Sequence, residues 1–316
     1  MNKAKRITSW LGMLLMVVSL VFITRQLMTQ ELDFSMLTSL WRISGIGILV
    51  VVTALILLGA AINYRAWVHD VSGVESSLPL TLTVYLSSNL YKYIPGSVLY
   101  LLGRQRLAIE NETLKHSQVA LATLWEGIFA IVAAAVVALF CASGYITAAI
   151  DNLETPRMAL ITILLGGIVL LLLTAYLFRR HIARFFRKLT ENKQTITITT
   201  FLKRMSFALG MVFLWGVVFL LIMLLLGHPS TPRFIFTIIG LYLFSWLAGF
   251  MIPGIPGGLG VREAALLFFM GGIADESILL PALIIHRLNI VLGDVLAYLI
   301  AVGYARYEKT NKNIAM

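Results

Sequence analysis

Long apolar runs alternate with short polar segments along almost the whole chain. Six of these runs are long enough to cross the ~30 Å hydrocarbon core of a bilayer as helices. They cover residues 7–24, 43–66, 118–141, 158–178, 205–227 and 277–304. The pattern therefore predicts an all-α, polytopic membrane protein with about six full spans.

Two further hydrophobic segments, residues 78–107 and 234–272, are interrupted. The tripeptide Ile-Pro-Gly occurs once at residues 94–96 and twice in succession at residues 252–257. Proline removes a backbone donor and glycine frees the backbone, so one helix can end there and another begin. Within a bilayer, such a break is tolerated only where it is buried in protein or lines a wet cavity. Paired broken helices in the two halves of a chain are typical of transporters.

The distribution of Lys and Arg predicts the orientation. If the N-terminus is cytoplasmic and each broken segment returns to its starting side, eighteen basic residues lie inside and four outside. A single crossing by residues 78–107 would move the basic stretch 179–204 outside, against the positive-inside rule. The charges therefore favour two oppositely oriented re-entrant helical hairpins in an inverted repeat, with both termini cytoplasmic. Trp41 and Trp67, close to predicted span ends, are expected in the interfacial belt.

Composition limits the class of protein. Of the 316 residues, 59% are hydrophobic and 13% charged, about half the charged fraction of a soluble domain. We expect one integral-membrane domain over residues 1–316, located in the cytoplasmic (plasma) membrane. Its repeat halves would be residues 1–178 and 205–316, joined by the basic stretch 179–204. The net charge of +10 follows from the positive-inside rule and does not indicate a nucleic-acid partner.

The strongest candidate site lies in the second broken segment. Residues 253–260 contain four glycines and two prolines, which do not stay helical, whereas a helix resumes at Val261. A helix N-terminus has unpaired N–H groups and a positive dipole end, which favour anions such as phosphate. Arg262 adds a positive charge there and Glu263 a negative one. The candidate residues are Pro256, Gly257, Gly258, Gly260, Arg262 and Glu263. Alternatively, the glycines only allow tight packing, and Arg262 and Glu263 neutralise each other.

The first broken segment offers a second set of polar residues near its predicted tip. Lys92 has two open interpretations: it snorkels to the interface, or it pairs with an acid. Arg104 and Arg106 lie where the helix leaves the membrane, so we expect them to anchor lipid headgroups. The candidate binding residues of this hairpin are Lys92, Pro95, Gly96 and Ser97.

Glu126 lies about a third of the way along an otherwise apolar span. A buried carboxylate there needs a cation or a proton. One hypothesis pairs it with Arg262 or Lys92. The other is a protonated glutamate that ties two helices together.

The last span is interrupted by polar residues, among them His286, Arg287 and Asp294, which together with Glu126 are further candidate substrate-binding residues. Arg287 and Asp294 are seven residues apart, on one helical face but two turns from each other. They cannot easily satisfy one another, so both are expected to face the protein interior. His286 is expected to be a packed, hydrogen-bonded residue rather than a metal ligand.

Residues 256–265, together with Asn89, Pro95-Gly96, Arg104 and Glu126, resemble the membrane domain of lysylphosphatidylglycerol synthetases and their free-standing relatives. The resemblance covers nearly the whole chain. It implies a polytopic fold with inverted repeats and a role in moving lipids between leaflets.

Two departures from this family suggest that the substrate differs. The family often has Gly-Glu shortly before the first-hairpin arginine, where this chain has Leu99-Tyr100 and Leu101-Leu102. An arginine often follows the glutamate of the next span, where this chain has Gly127. The soluble aminoacyl-transferase domain is absent from these 316 residues, so lipid lysylation is not expected.

The leading hypothesis is a flippase-like translocator for a membrane phospholipid or polyprenyl-phosphate lipid, with no cofactor and no metal. No nucleotide-binding glycine motif, P-loop, H-E-x-x-H motif or Cys/His cluster occurs, which disfavours an enzyme. Two alternatives stay open. One is an integral-membrane enzyme or accessory subunit acting on lipid-linked sugars, and the other is a small-solute carrier.

Overall fold

The computed structural model describes residues 39–93, 99–152, 197–229, 231–251, 260–271 and 273–314. The predicted spans 7–24 and 158–178 lie outside these residues, as does most of the stretch 179–204. So do the Ile-Pro-Gly breaks and the candidate residues Pro95, Gly96, Ser97, Pro256, Gly257 and Gly258.

The described residues are helical, and no β-strand occurs among them. Its helices are α1 (Leu40–Ser72), α2 (Leu78–Leu90), α3 (Leu99–Arg104), α4 (Arg106–Glu110), α5 (His116–Asn152), α6 (Ile198–Leu225), α7 (Pro232–Met251), α8 (Val261–Met270) and α9 (Glu276–Ile314). A short 3₁₀ turn, Tyr91–Tyr93, follows α2.

Four of these helices are long and apolar enough to cross a membrane. They are Leu40–Ser72, His116–Tyr145, Ile198–Leu225 and Glu276–Asn311, and Phe234–Phe250 is a shorter apolar helix. The prediction of an all-α, multi-pass membrane protein is therefore confirmed. The count of six spans, the re-entrant hairpins and the inverted repeat stay predictions.

The helix ends follow local chemistry. α1 ends at Gly73, whose φ of +71° is the left-handed conformation that glycine adopts without strain. Its N–H donates to the carbonyl of His69 at 2.8 Å. α9 begins after Asp275, whose carboxylate accepts the N–H of Ser277 at 2.9 Å. That hydrogen bond holds the pKa of Asp275, outside the membrane-spanning helix, below its usual range.

α6 begins earlier than the predicted span at residue 205. Thr197 caps its N-terminus by accepting the N–H of Thr200 at 3.2 Å. Arg204 therefore lies on the helix and reaches α1, where its guanidinium contacts the carboxylate of Asp70 at 2.7 Å. The division of the chain into two halves stays a prediction.

The buried residues form two hydrophobic clusters. One joins α5 to α9 around Phe219 and Tyr242, and the other joins α1, α2 and α5 around Tyr64 and Trp67. Trp67 is 1% exposed, and its ring meets that of Phe129 edge-on at 4.8 Å. The interfacial position expected for Trp67 is therefore wrong, because its end of α1 packs inside the protein. Trp41, 57% exposed, agrees with that expectation.

α1 and α9 cross in very close contact at Gly293. A Cβ on Gly293 would lie 2.3 Å from Cγ2 of Thr53, which is fully buried. We therefore expect Gly293→Ala to destabilise the protein by about 1–3 kcal/mol through overpacking. The readout is the midpoint temperature of unfolding in detergent micelles. The matched control is Gly303→Ala on the same helix, where a Cβ meets nothing within 4 Å and stability should not fall. Equal midpoints for the two variants would contradict the close contact.

Candidate functional site

A cavity of about 290 Å³ is lined by residues of α1 to α3 and of α5 to α9. Four charged side chains line it: Lys92, Arg104, Glu126 and Arg262. Its aromatic walls are formed by Trp67, Phe129, Phe207, Trp215, Trp246 and Phe250. Residues of both broken segments therefore line one cavity. Its walls are largely apolar and carry four charged side chains.

Arg104 and Glu126 form a buried ion pair on one side of the cavity. Arg104, at the end of α3, is 5% exposed and donates to the Glu126 carboxylate on α5. The hydroxyl of Tyr85 donates to the other carboxylate oxygen at 2.7 Å. The Arg104 guanidinium also stacks over the rings of Tyr64 and Tyr85, with centroid distances of 4.7 and 4.3 Å.

This pair corrects two expectations. Arg104 does not anchor lipid headgroups, and Glu126 does not pair with Arg262 or Lys92. The physical reason is that α3 packs closely on the 3₁₀ turn after α2. A Cβ on Gly103 would lie 2.7 Å from the ring of Tyr91 in that turn. This close approach turns Arg104 inward. Arg106 does lie at the surface, where it pairs with Glu110 at 2.6 Å.

Lys92 pairs with an acid, which decides between its two interpretations. Its Nζ lies 2.6 Å from Oδ2 of Asp294 on α9, and the Tyr93 hydroxyl donates to the same oxygen. Asp294 is 1% exposed, and its Oδ1 has no hydrogen-bond partner among the described residues. The prediction that Asp294 faces the protein interior is confirmed.

The second charged group is built around the start of α8. Gly260, with φ +85°, precedes the helix in a conformation that favours glycine, and its N–H donates to Glu263 at 2.7 Å. Nε of Arg287 on α9 donates to the other oxygen of Glu263. The alternative in which Arg262 and Glu263 neutralise each other is therefore wrong. A carboxylate of the protein itself also occupies part of the helix N-terminus that was expected to bind an anion.

Arg262 differs from the other cations of the site. It is 9% exposed, donates to the hydroxyl of Tyr242 on α7, and stacks over that ring at 4.6 Å. Lys92, Arg104 and Arg287 each have a carboxylate partner. Within the described ranges, Arg262 has none. The four cations Lys92, Arg104, Arg262 and Arg287 face three carboxylates, those of Glu126, Glu263 and Asp294. The positive charge in excess is that of Arg262, which lines the cavity.

His286 packs behind the cavity wall, as expected for a structural histidine. It is 3% exposed, and its ring meets those of Phe219 and Tyr242 edge-on at 5.3 and 5.1 Å. Its Nε2 has no hydrogen-bond partner in the part of the chain that the structure describes, contrary to the expectation of a hydrogen-bonded ring. No group of three or more His, Cys, Asp or Glu that could hold a metal occurs in that part either.

The predicted residues thus separate into two groups. Lys92, Glu126 and Arg262 line the cavity, whereas Glu263, Arg287 and Asp294 stand behind its wall as partners or supports.

Sequence reasoning missed the inward position of Arg104 and the two tyrosines, Tyr85 and Tyr242. A signal for them exists: Arg104 and Arg262 each lie nine residues after the proline of an Ile-Pro-Gly. Each stacks on a tyrosine from the helix before that break. The shared spacing could have indicated that both arginines play related roles.

Residues 9–297 match a family model described as "Lysylphosphatidylglycerol synthase TM region". The match includes every charged residue of the cavity and of its supporting ion pairs. No curated protein matches the chain.

Proposed function

Because this chain belongs to the lysylphosphatidylglycerol synthase transmembrane-region family, we propose that it translocates an anionic, phosphate-bearing lipid between membrane leaflets. The family and the spanning helices make it a multi-pass membrane protein tied to lipid metabolism. The observation that carries the finer proposal is Arg262. It is a buried cation that lines the cavity and has no carboxylate partner among the described residues.

A cation at membrane depth is costly unless it is compensated. An anionic headgroup in the cavity would compensate the excess positive charge, and the guanidinium fork of Arg262 matches two phosphate oxygens. Lys92 also lines the cavity and offers a second cationic donor. Glu126, the acid or base that a membrane enzyme would need, is instead held by Arg104 and Tyr85. The charges therefore favour binding of an anion over catalysis.

The size and walls of the cavity support a lipid headgroup as the occupant. A volume of about 290 Å³ is at the lower end of ligand pockets and is of the size that suits a headgroup. Phe250 is half exposed and lines the cavity, so apolar surface continues from the hollow to the outside of the protein. In the proposed binding mode, the headgroup enters the cavity while the tails stay in lipid.

The inverted repeat and the cytoplasmic termini remain part of the proposal. The bias of Lys and Arg supports hairpins that enter from opposite leaflets. Arg104 and Arg262 each lie nine residues after the proline of an Ile-Pro-Gly, and both line the cavity. This shared spacing supports two related units around one cavity. Rocking of one unit against the other would expose the headgroup to each leaflet of the plasma membrane in turn.

The test uses proteoliposomes with fluorescent phosphatidylglycerol, whose headgroup accessibility to an external quencher is followed over time. We expect Arg262→Gln to slow the exchange about ten- to a hundredfold, since hydrogen bonds to charged groups contribute about 1.5–3 kcal/mol. Arg106→Gln is the matched control, because Arg106 is exposed and its ion-pair partner is Glu110 on its own helix. Wild-type exchange in Arg262→Gln, or no exchange by the wild-type protein, would contradict the proposal.

A further inference from the structure

The last helix, α9, holds both broken segments by ion pairs. Arg287 pairs with Glu263 at the start of α8, and Asp294 pairs with Lys92 directly after α2. The two α9 residues are seven positions apart, which is about 10 Å along a helix. One lysine and one aspartate therefore form an ion pair between the first broken segment and α9.

Lys92 can serve two anions. Its side chain lines the cavity and also pairs with Asp294, which is not a cavity-lining residue. An anion in the cavity therefore competes with Asp294 for the same ammonium group. If Lys92 turned to that anion, Asp294 would be left 1% exposed, with the hydroxyl of Tyr93 as its one donor among the described residues. A buried carboxylate that loses its cation is strongly unfavourable and is relieved by taking up a proton.

We propose that headgroup binding is coupled to protonation of Asp294, so that the protein is a proton–lipid symporter. This inference rests on the proposed function. When Lys92 moves to the phosphate, the Asp294 carboxylate takes one proton from water on the side to which the cavity is open. A phosphodiester carries one negative charge, so lipid and proton together move no net charge. A pH difference would therefore drive transport, whereas a membrane potential would not.

The surroundings of Asp294 single it out as the proton acceptor. The stretch of α1 around Thr53, which crosses α9 beside Gly293, is otherwise apolar. The only titratable residue of α2 is Tyr85, which donates to Glu126. α6 carries Lys203 and Arg204 in its first turns.

Further charged groups of the site are Arg262, Arg287 and Glu263, the last of which pairs with Arg287. Arg287 lies on α9 itself, and both Arg262 and Arg287 act electrostatically on Tyr93, the hydroxyl partner of Asp294. His286, also on α9, is packed between the rings of Phe219 and Tyr242.

The first experiment measures the exchange of fluorescent phosphatidylglycerol in proteoliposomes under an imposed pH difference. Valinomycin with equal potassium on both sides removes the membrane potential. We expect movement from the acidic to the alkaline side to accelerate several-fold in the wild-type protein. Asp294→Asn should lose this response, so that its exchange, at whatever rate, is the same with and without the pH difference. Asp70→Asn is the matched control, because it removes another interhelical ion pair, with Arg204, and should keep the response.

The second experiment needs no variant. Glycerophosphoglycerol, the phosphodiester headgroup without its tails, is added to purified protein in weakly buffered detergent solution. We expect uptake of about one proton for each probe bound. Binding without proton uptake, or exchange that ignores the pH difference, would overturn the coupling and leave the translocator proposal intact. Absence of lipid exchange under all conditions would overturn both.

Discussion

Replacing Glu126 by alanine should destabilise the protein by about 3–5 kcal/mol, because it leaves the charge of Arg104 buried without its carboxylate. Arg104 is 5% exposed and packs against the rings of Tyr64 and Tyr85, so most of its surface would stay out of contact with water. Tyr85 would also lose the acceptor of its hydroxyl. The measurement is the midpoint of thermal unfolding in detergent, followed by size-exclusion fluorescence.

Two further variants test whether the loss of stability comes from the unpaired charge of Arg104 or would follow the removal of any paired glutamate. Replacing both partners, with Arg104→Met and Glu126→Leu, should recover most of the stability, since a buried ion pair adds little over apolar side chains. Glu110→Ala removes the carboxylate of an exposed Arg–Glu pair and should cost about 0–0.5 kcal/mol. A midpoint for Glu126→Ala equal to that of Glu110→Ala would refute the buried pair.

The second large effect is expected for Arg287→Met. This change leaves Glu263 without its cation and breaks the ion pair between α8 and α9, which we expect to cost about 3–5 kcal/mol. Lipid exchange should also fall, because Arg262 lies on the same first turn of α8 and loses its fixed position. Unfolding midpoints and the exchange assay together measure the two effects.

A compensating change sharpens this prediction. Glu263→Gln removes the uncompensated charge and can still accept the N–H of Gly260. The double variant Arg287→Met/Glu263→Gln also keeps the excess positive charge of the cavity unchanged, since it loses one cation and one anion. We therefore expect it to be more stable than Arg287→Met and to exchange lipid faster. Additive losses in the two single variants would show that the two residues do not interact.

Hydropathy predicted the long helices well, because a spanning helix is marked by its length and apolar content alone. It placed their ends less well. The predicted last span ends at residue 304, whereas α9 continues to Ile314 through polar residues. Hydropathy marks only the apolar part of a helix that lies in lipid, whereas the helical hydrogen bonds of its backbone continue into water. Hydropathy also gave no sign that the helix after the first break divides at Gln105 into α3 and α4.

The charged residues of the site were largely found from the sequence, since charge within an apolar run is conspicuous and costly. Their pairing was not. Glu126 was assigned to Arg262 or Lys92, and the structure pairs it with Arg104. Hydropathy locates a residue along its own helix but does not show which helices are neighbours. Arg104 was expected at a membrane end for the same reason. Its inward position follows from the packing of α3 on the Tyr91 ring, which hydropathy does not show.

The crossing at Gly293 has a mechanical consequence. There α9 has no side chain, the methyl group of Thr53 fills the space, and Asn289 donates to the Thr53 hydroxyl at 2.7 Å. Two helices in such contact can slide past each other only by first separating, because packed surfaces resist continuous deformation. We therefore expect the α1–α9 crossing to persist during transport, so that rocking of one unit against the other pivots at Gly293 and Thr53.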